Sequence, residues 1–247
     1  MTDIDSDAAR PLPWGYLTTL GWTVVAVLLS GVVAFVALLL WRPESIAHAT
    51  DLLKDGPLIS LTLVISIAVQ IGVLALAVRL AQWPVGEYLG LVRPSRHDLI
   101  VAILSLTAFV FAFDALTYLL GRDIVTPFQI DTYRSARDAG APALLWFAIV
   151  VVIVAPIGEE IVFRGFLFRG WVRAGWRALP GILAISALFA IIHSQYDWFG
   201  ILQVFFVGLI LGWARWRSGS TTLTILMHAL INLWATVQSM VKVEWLP

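Results

Sequence analysis

Two adjacent carboxylates and a guanidinium interrupt a hydrophobic helix in "GEEIVFRG": Glu159, Glu160 and Arg164 stand directly behind the twenty uncharged residues from Ala139 through Gly158. Further on, Phe189 and His193 are four residues apart in "LFAIIHSQYDW", and His228 and Asn232 are four apart in "MHALINLW". A carboxylate can take a proton from water, an imidazole can polarise or share that water, and an amide can donate to a developing oxyanion. At membrane depth an ionisable group costs at least ~2.5 kcal/mol, so such groups face a bundle interior and mark function. The set of such residues is short: Asp114, Glu159, Glu160, Arg164, His193 and His228, with Asn232 as a neutral companion.

Each motif also has a plainer reading. Glu160 and Arg164 lie on one helix face in the favoured acid-before-base order, which suits a neutralising ion pair as well as a pair that positions a site. Glu159 lies about 100° further round the helix, so Arg164 cannot serve both carboxylates equally and one glutamate is left for other work. Pro156 removes the hydrogen bond to the carbonyl of Val152, and Gly158 loosens the helix further, which opens a place for water beside Glu159. A histidine at a helix end is often only an interfacial residue, and a His/Asn pair on one face is often only a bridge between helices. Asp114 is read as structural or substrate-lining, and His48 and His97 as solvated loop residues.

The elements that must position these groups follow from composition. The 247 residues are 60% hydrophobic and only 13% charged, with 16 basic against 16 acidic side chains, and mean hydropathy is +0.89. Soluble chains are about one quarter charged, so this one belongs to the membrane class. Zero net charge without a basic patch excludes a nucleic-acid partner, and the absence of cysteine excludes disulfides, thiol nucleophiles and cysteine-bound zinc. Charges delimit seven apolar runs at 18–41, 57–78, 99–120, 141–163, 178–194, 198–214 and 220–240. The expected fold is therefore all-α, a polytopic transmembrane bundle of about seven helices, or eight with an interfacial helix in the polar stretch 121–140. That stretch reads equally well as a gate. The acidic start "MTDIDSDAARPLPW" suits an uncleaved first helix rather than a secretory signal.

Tryptophans such as Trp41, Trp83, Trp198, Trp213, Trp216 and Trp245 fall at the ends of these runs, as interfacial rings do. Outside Arg164, nine Lys and Arg lie on the side of the N-terminus and six on the other, which favours a cytoplasmic N-terminus. If the fourth and fifth runs form an antiparallel hairpin, the midpoint between Glu159 and His193 falls at Trp176 in the turn. Both side chains then lie about 25 Å from the bend, at one depth. His228 comes out near mid-membrane, somewhat offset from His193.

Taken together and in order, "EEIVFR", "FAIIH" and "HALIN" closely resemble the signature of the CPBP family, also called the Abi or type II CAAX prenyl endopeptidase family of intramembrane proteases. The resemblance covers about residues 141–240, and the first three runs match only in being hydrophobic. It divides the chain into an N-terminal tail 1–17, accessory helices and loops 18–140, a catalytic core 141–240 and a C-terminal tail 241–247. It implies hydrolysis of a peptide bond in a membrane-associated or prenylated protein or hydrophobic peptide, with membrane lipid and the substrate as partners. It also implies an integral, multi-pass protein of a prokaryotic cell membrane. Glu159 would be the general base, with His193 polarising or sharing the water and His228 and Asn232 donating to the oxyanion. Glu160 with Arg164 would hold the helix and orient Glu159. Metalloprotease labels attach to this family, and Glu159, His193 and His228 are the candidate ligands of zinc or another divalent metal. A metal-free water activated by glutamate fits the same residues and is the preferred reading, since no HExxH is present. Two other functions stand beside the enzyme: a non-catalytic Abi-type scaffold or bacteriocin-immunity protein, and a small proton-relaying transporter. An intact motif set favours the enzyme over the scaffold, and the lack of two related halves disfavours the transporter.

Overall fold

The computed structural model describes residues 13–41, 54–172 and 178–246, and among them every regular element is helical. In chain order these are α1 (Tyr16–Trp41), α2 (Gly56–Leu80), α3 (Val85–Tyr88), α4 (Arg96–Leu119), α5 (Pro127–Asp138), α6 (Ala141–Trp171), α7 (Ala178–Ile191), α8 (Trp198–Ser218) and α9 (Thr221–Glu244). Six of them, α1, α2, α4, α6, α8 and α9, are long and apolar enough to cross a membrane. The exposed faces are lipid-like: Leu17, Leu40 and Leu119 are each at least 80% exposed, which no water-facing surface would sustain in such numbers. The chain is a multi-pass membrane bundle.

Two boundaries differ from the hydropathy pattern, each for a physical reason. α6 does not stop near residue 163 but runs to Trp171, because Arg164 is fully buried against Glu160 and its charge never reaches an end of the helix. α7 stops at Ile191 rather than 194, and its 14 residues rise about 21 Å, short of the ~30 Å hydrocarbon core. The segment Ile192–Asp197 is therefore a largely exposed turn: His193 N–H bonds Ala190 O, Tyr196 N–H bonds His193 O, and Asp197 caps α8 by accepting from Gly200 N–H. Arg122 holds the same Asp197 from the loop after α4. The polar stretch 121–140 contains an amphipathic helix, α5, which Thr126 and Gln129 start with a reciprocal capping box. Arg137–Glu244 (3.5 Å) and Lys54–Asp131 (3.8 Å) tie α5 to the end of α9 and the start of α2. His97 sits exposed in the first turn of α4; His48 and Trp176, with the N-terminal tail to residue 12, lie outside the described residues.

Two apolar clusters flank α6. One joins α1, α2, α3 and α7 to its C-terminal half through Ala26, Leu74, Tyr88, Phe166, Leu167 and Ile185. The other joins α4, α8 and α9 through Leu106, Leu211, Leu223 and Met227. Glycines set the closest approaches. A Cβ on Gly158 would stand 2.6 Å from Ile67 Cγ1, so α2 is seated on α6 beside Glu159 only because residue 158 has no side chain. Gly158 thus also serves close packing, a role the sequence did not show. Gly158→Ala is expected to destabilise the detergent-solubilised protein by about 1–3 kcal/mol, and adding Ile67→Ala to recover most of that. Thermal unfolding of the three variants checks it; an unaltered single variant would show that α2 packs elsewhere.

Candidate active site

α6 is not a uniform helix. Two π-helical stretches, Val150–Val154 and Ile161–Leu167, bracket the short α-helical piece Ala155–Glu160 that carries both glutamates. Such bulges rotate the side chains between them relative to a regular helix and recur at functional sites. Ala155 N–H bonds the carbonyl of Val150, five residues back, and in that register the missing N–H of Pro156 faces the carbonyl of Val151 rather than that of Val152. The amide of Asn232 on α9 fills this gap, donating to Val151 O at 2.8 Å. The helix irregularity and the asparagine therefore explain one another.

Glu160 and Arg164 are both completely buried, with Arg164 Nη1 donating to Glu160 Oε1 at 2.9 Å and Nη2 to the carbonyl of Gly208 on α8 at 3.1 Å. His228 Nδ1 is 3.0 Å from the same Glu160 Oε1. A carboxylate already bound by a guanidinium accepts, so His228 donates its Nδ1–H there. His193 Nδ1 is 2.7 Å from the carbonyl of Phe189, which also can only accept. Both imidazoles thus spend Nδ1–H on a fixed acceptor and leave Nε2 bare. Those two nitrogens converge on one oxygen: Glu159 Oε2 is 3.9 Å from His193 Nε2 and 4.0 Å from His228 Nε2. The offset in depth expected for His228 is absent. Neither Glu159 Oε2 nor Glu160 Oε2 has a hydrogen-bond partner, but Glu160 is held through Oε1 by Arg164 and His228, and only the Glu159 oxygen faces the two Nε2 atoms.

Phe189 organises this cluster. Its ring lies 4.8 Å from that of His193, edge-on to His228 at 5.7 Å, and under the Arg164 guanidinium at 4.4 Å. One aromatic side chain, itself edge-on to Phe163, thereby fixes both imidazoles and screens the buried cation.

Glu159, His193, His228 and Asn232 line a cavity of about 460 Å³. Sequence reasoning missed the rest of its wall. α2 contributes Ile59, Thr62 and Leu63, α5 roofs it with Phe128, Gln129, Thr132 and Tyr133, and the α7–α8 turn adds Gln195 and Tyr196. The amphipathic pattern of 127–138 was the available signal for α5; Tyr196, three residues past His193, gave none. Tyr196 stacks nearly parallel to His193, with centroids 6.1 Å apart and planes at 18°, and meets Phe128 edge-on at 5.9 Å. Lying outside the spanning helices, its phenol is pushed up to about 12 by burial and then by the Glu159 carboxylate, against a smaller pull from Gln195. Asp114 lines an adjoining recess and accepts from Trp234 Nε1 (3.1 Å) and Gln238 Nε2 (2.8 Å), which fastens α4 to α9.

The three candidate metal ligands do not fit zinc as they stand. Two ligands of a tetrahedral zinc at about 2.0–2.1 Å stand roughly 3.3 Å apart. Separations of 3.9 and 4.0 Å are wider, and among the described residues no group of three His, Asp or Glu side chains is arranged to hold a metal. The same separations suit a water that bonds each pair of atoms at about 2.8 Å across an angle near 90°.

The helical membrane bundle thus brings a carboxylate and two imidazoles together on the wall of one cavity. Residues 141–234, from the start of α6 to just past Asn232, match the family described as type II CAAX prenyl endopeptidase, Rce1-like, a family of proteases. The chain is also 35% identical over 115 residues to an Escherichia coli protein described only as an uncharacterized 24.3 kDa protein. That match covers 45% of this chain and 52% of the relative, so it spans about half the relative's length. No solved structure matches the chain.

Proposed function

We propose that this protein is an intramembrane endopeptidase that cleaves a membrane-associated, CAAX-like prenylated protein or hydrophobic peptide with a water activated by Glu159. The observation that supports this most directly is the position of Glu159 Oε2, unpartnered on a cavity wall and facing the bare Nε2 atoms of His193 and His228. In this reading the water gives its proton to Glu159 while its oxygen attacks the peptide carbonyl, with His193 Nε2 accepting the second hydrogen bond of the water. The two imidazoles are told apart by what holds their other nitrogen. His193 rests on a neutral carbonyl, whereas His228 rests on a buried carboxylate that is itself fixed by Arg164. His228 is thereby held beside the oxyanion in this reading, and the second N–H of Asn232 donates to that oxyanion. Glu159 then passes its proton to the departing amine as the C–N bond breaks, releasing a carboxylic acid and an amine.

The cavity wall fits an uncharged, partly apolar chain: no Lys or Arg is among its lining residues, and α2 and α5 supply Ile59, Leu63 and Phe128. The test uses the full chain in liposomes with a peptide carrying a farnesylated cysteine followed by three uncharged residues, and its unprenylated twin. Mass spectrometry is expected to find release of a short C-terminal fragment from the prenylated peptide. The rate should be unchanged by a membrane-permeant zinc chelator. Absence of cleavage of both peptides would overturn the protease reading; loss of cleavage with chelator, restored by zinc, would replace the metal-free mechanism.

A further inference from the structure

Many of the hydrogen-bond donors that line the cavity are already committed. The hydroxyls of Thr62, Thr132, Thr236 and Ser239 all donate to carbonyls of their own helices. Both imidazole Nδ1–H groups are committed, and Asn232 spends one N–H on Val151. An oxyanion is stabilised mainly by donors already in place before the reaction, and of the other lining donors, Gln129, Tyr133, Gln195 and Tyr196, it is Tyr196 whose ring stacks on the His193 imidazole.

We infer that Tyr196 is a further catalytic residue, its phenolic O–H donating to the scissile carbonyl oxygen as that oxygen becomes negative. This rests on the protease reading above. Three observations carry it. Tyr196 borders both the main cavity and the adjoining recess shared by His193, His228 and Asn232. Its ring is fixed against the His193 imidazole and against Phe128 of the roof, so the hydroxyl is held rather than swinging. Its backbone is locked to His193 by the Tyr196 N–H to His193 O bond, and the turn is pinned at its other end by Asp197, which caps α8 and binds Arg122. The phenol also stays protonated through the physiological range, so it can only donate or accept as a neutral group, never compete with Glu159 as a second anion.

The test compares wild type, Tyr196→Phe and Tyr196→Leu on the farnesylated peptide. Tyr196→Phe keeps the stacked ring and is expected to lower kcat about 100-fold with KM within about threefold and no change in unfolding temperature. Its kcat relative to wild type should be flat between about pH 6 and 9, since a neutral donor does not titrate there. Tyr196→Leu should lose activity further, because the face of His193 is then unsupported. A Tyr196→Phe variant with wild-type kcat would overturn the assignment while leaving the protease reading intact, as would a rise in KM with kcat unchanged. Failure of wild type to cleave the peptide would remove both.

Discussion

Glu159→Gln is expected to lower kcat by about 10²- to 10⁴-fold while leaving the protein as stable as wild type, or more so. The two halves of that expectation come from one observation. Glu159 Oε2 accepts no hydrogen bond and faces two imidazole lone pairs, so an anion is held where its surroundings offer it little. Glutamine keeps the shape and removes both the charge and the basicity. Arg164 keeps its bond to Glu160 and loses only the more distant attraction of Glu159. A carboxylate kept without a partner in an apolar bundle is a site where stability has been given up for reactivity. Thermal unfolding in detergent and hydrolysis of the farnesylated peptide measure the two quantities on one preparation. Activity within about tenfold of wild type would exclude Glu159 as the base. A marked loss of stability would mean that the carboxylate has a structural partner after all.

The residues of the cluster were legible in the sequence because polar groups stand out against an aliphatic background. Glu159, Glu160, Arg164, His193, His228 and Asn232 could be picked out on cost alone, and the Glu160–Arg164 pairing followed from helical spacing. What was not legible is the set of small backbone departures that bring them together. The π-helical stretch Val150–Val154 has no local code in a run such as "AIVVVIV"; it goes with Asn232, eighty-one residues away, satisfying the carbonyl that Pro156 leaves without a donor. The early end of α7 was hidden for a similar reason. Ile191 and Ile192 continue the apolar pattern, and only the packing of the following turn against Arg122 and Phe128 shows that the helix stops before His193. Hydropathy reads the average environment of a segment, while the site is built where segments deviate from the average. The same logic explains α5: its low hydropathy marked the stretch 121–140 as polar, but the side chains it lowers onto the cavity, Phe128, Thr132 and Tyr133, are visible only once its helical face is known.

The largest effect on stability is expected at Arg164, and its rescue separates holding the fold from performing the reaction. Arg164→Met removes the bond to Glu160, the bond to the Gly208 carbonyl and the cation over Phe189, and leaves the Glu160 carboxylate buried with His228 as its remaining partner. Breaking a buried pair from one side costs about 3–5 kcal/mol, because the surviving charge is uncompensated, whereas replacing both partners with neutral groups of similar volume is often close to neutral. Arg164→Met is therefore expected to fold poorly, and the double variant Arg164→Met with Glu160→Gln to regain most of the lost stability. Activity should not return with it. Glutamine at 160 replaces the carboxylate that accepts from His228 Nδ1–H, so the imidazole beside the oxyanion loses the anion that fixes its tautomer and orientation. A double variant no more stable than the single one would show that Arg164 acts mainly through Gly208 and the α6–α8 contact. A double variant that is both stable and active would show that the pair only neutralises itself, and that His228 needs no carboxylate behind it.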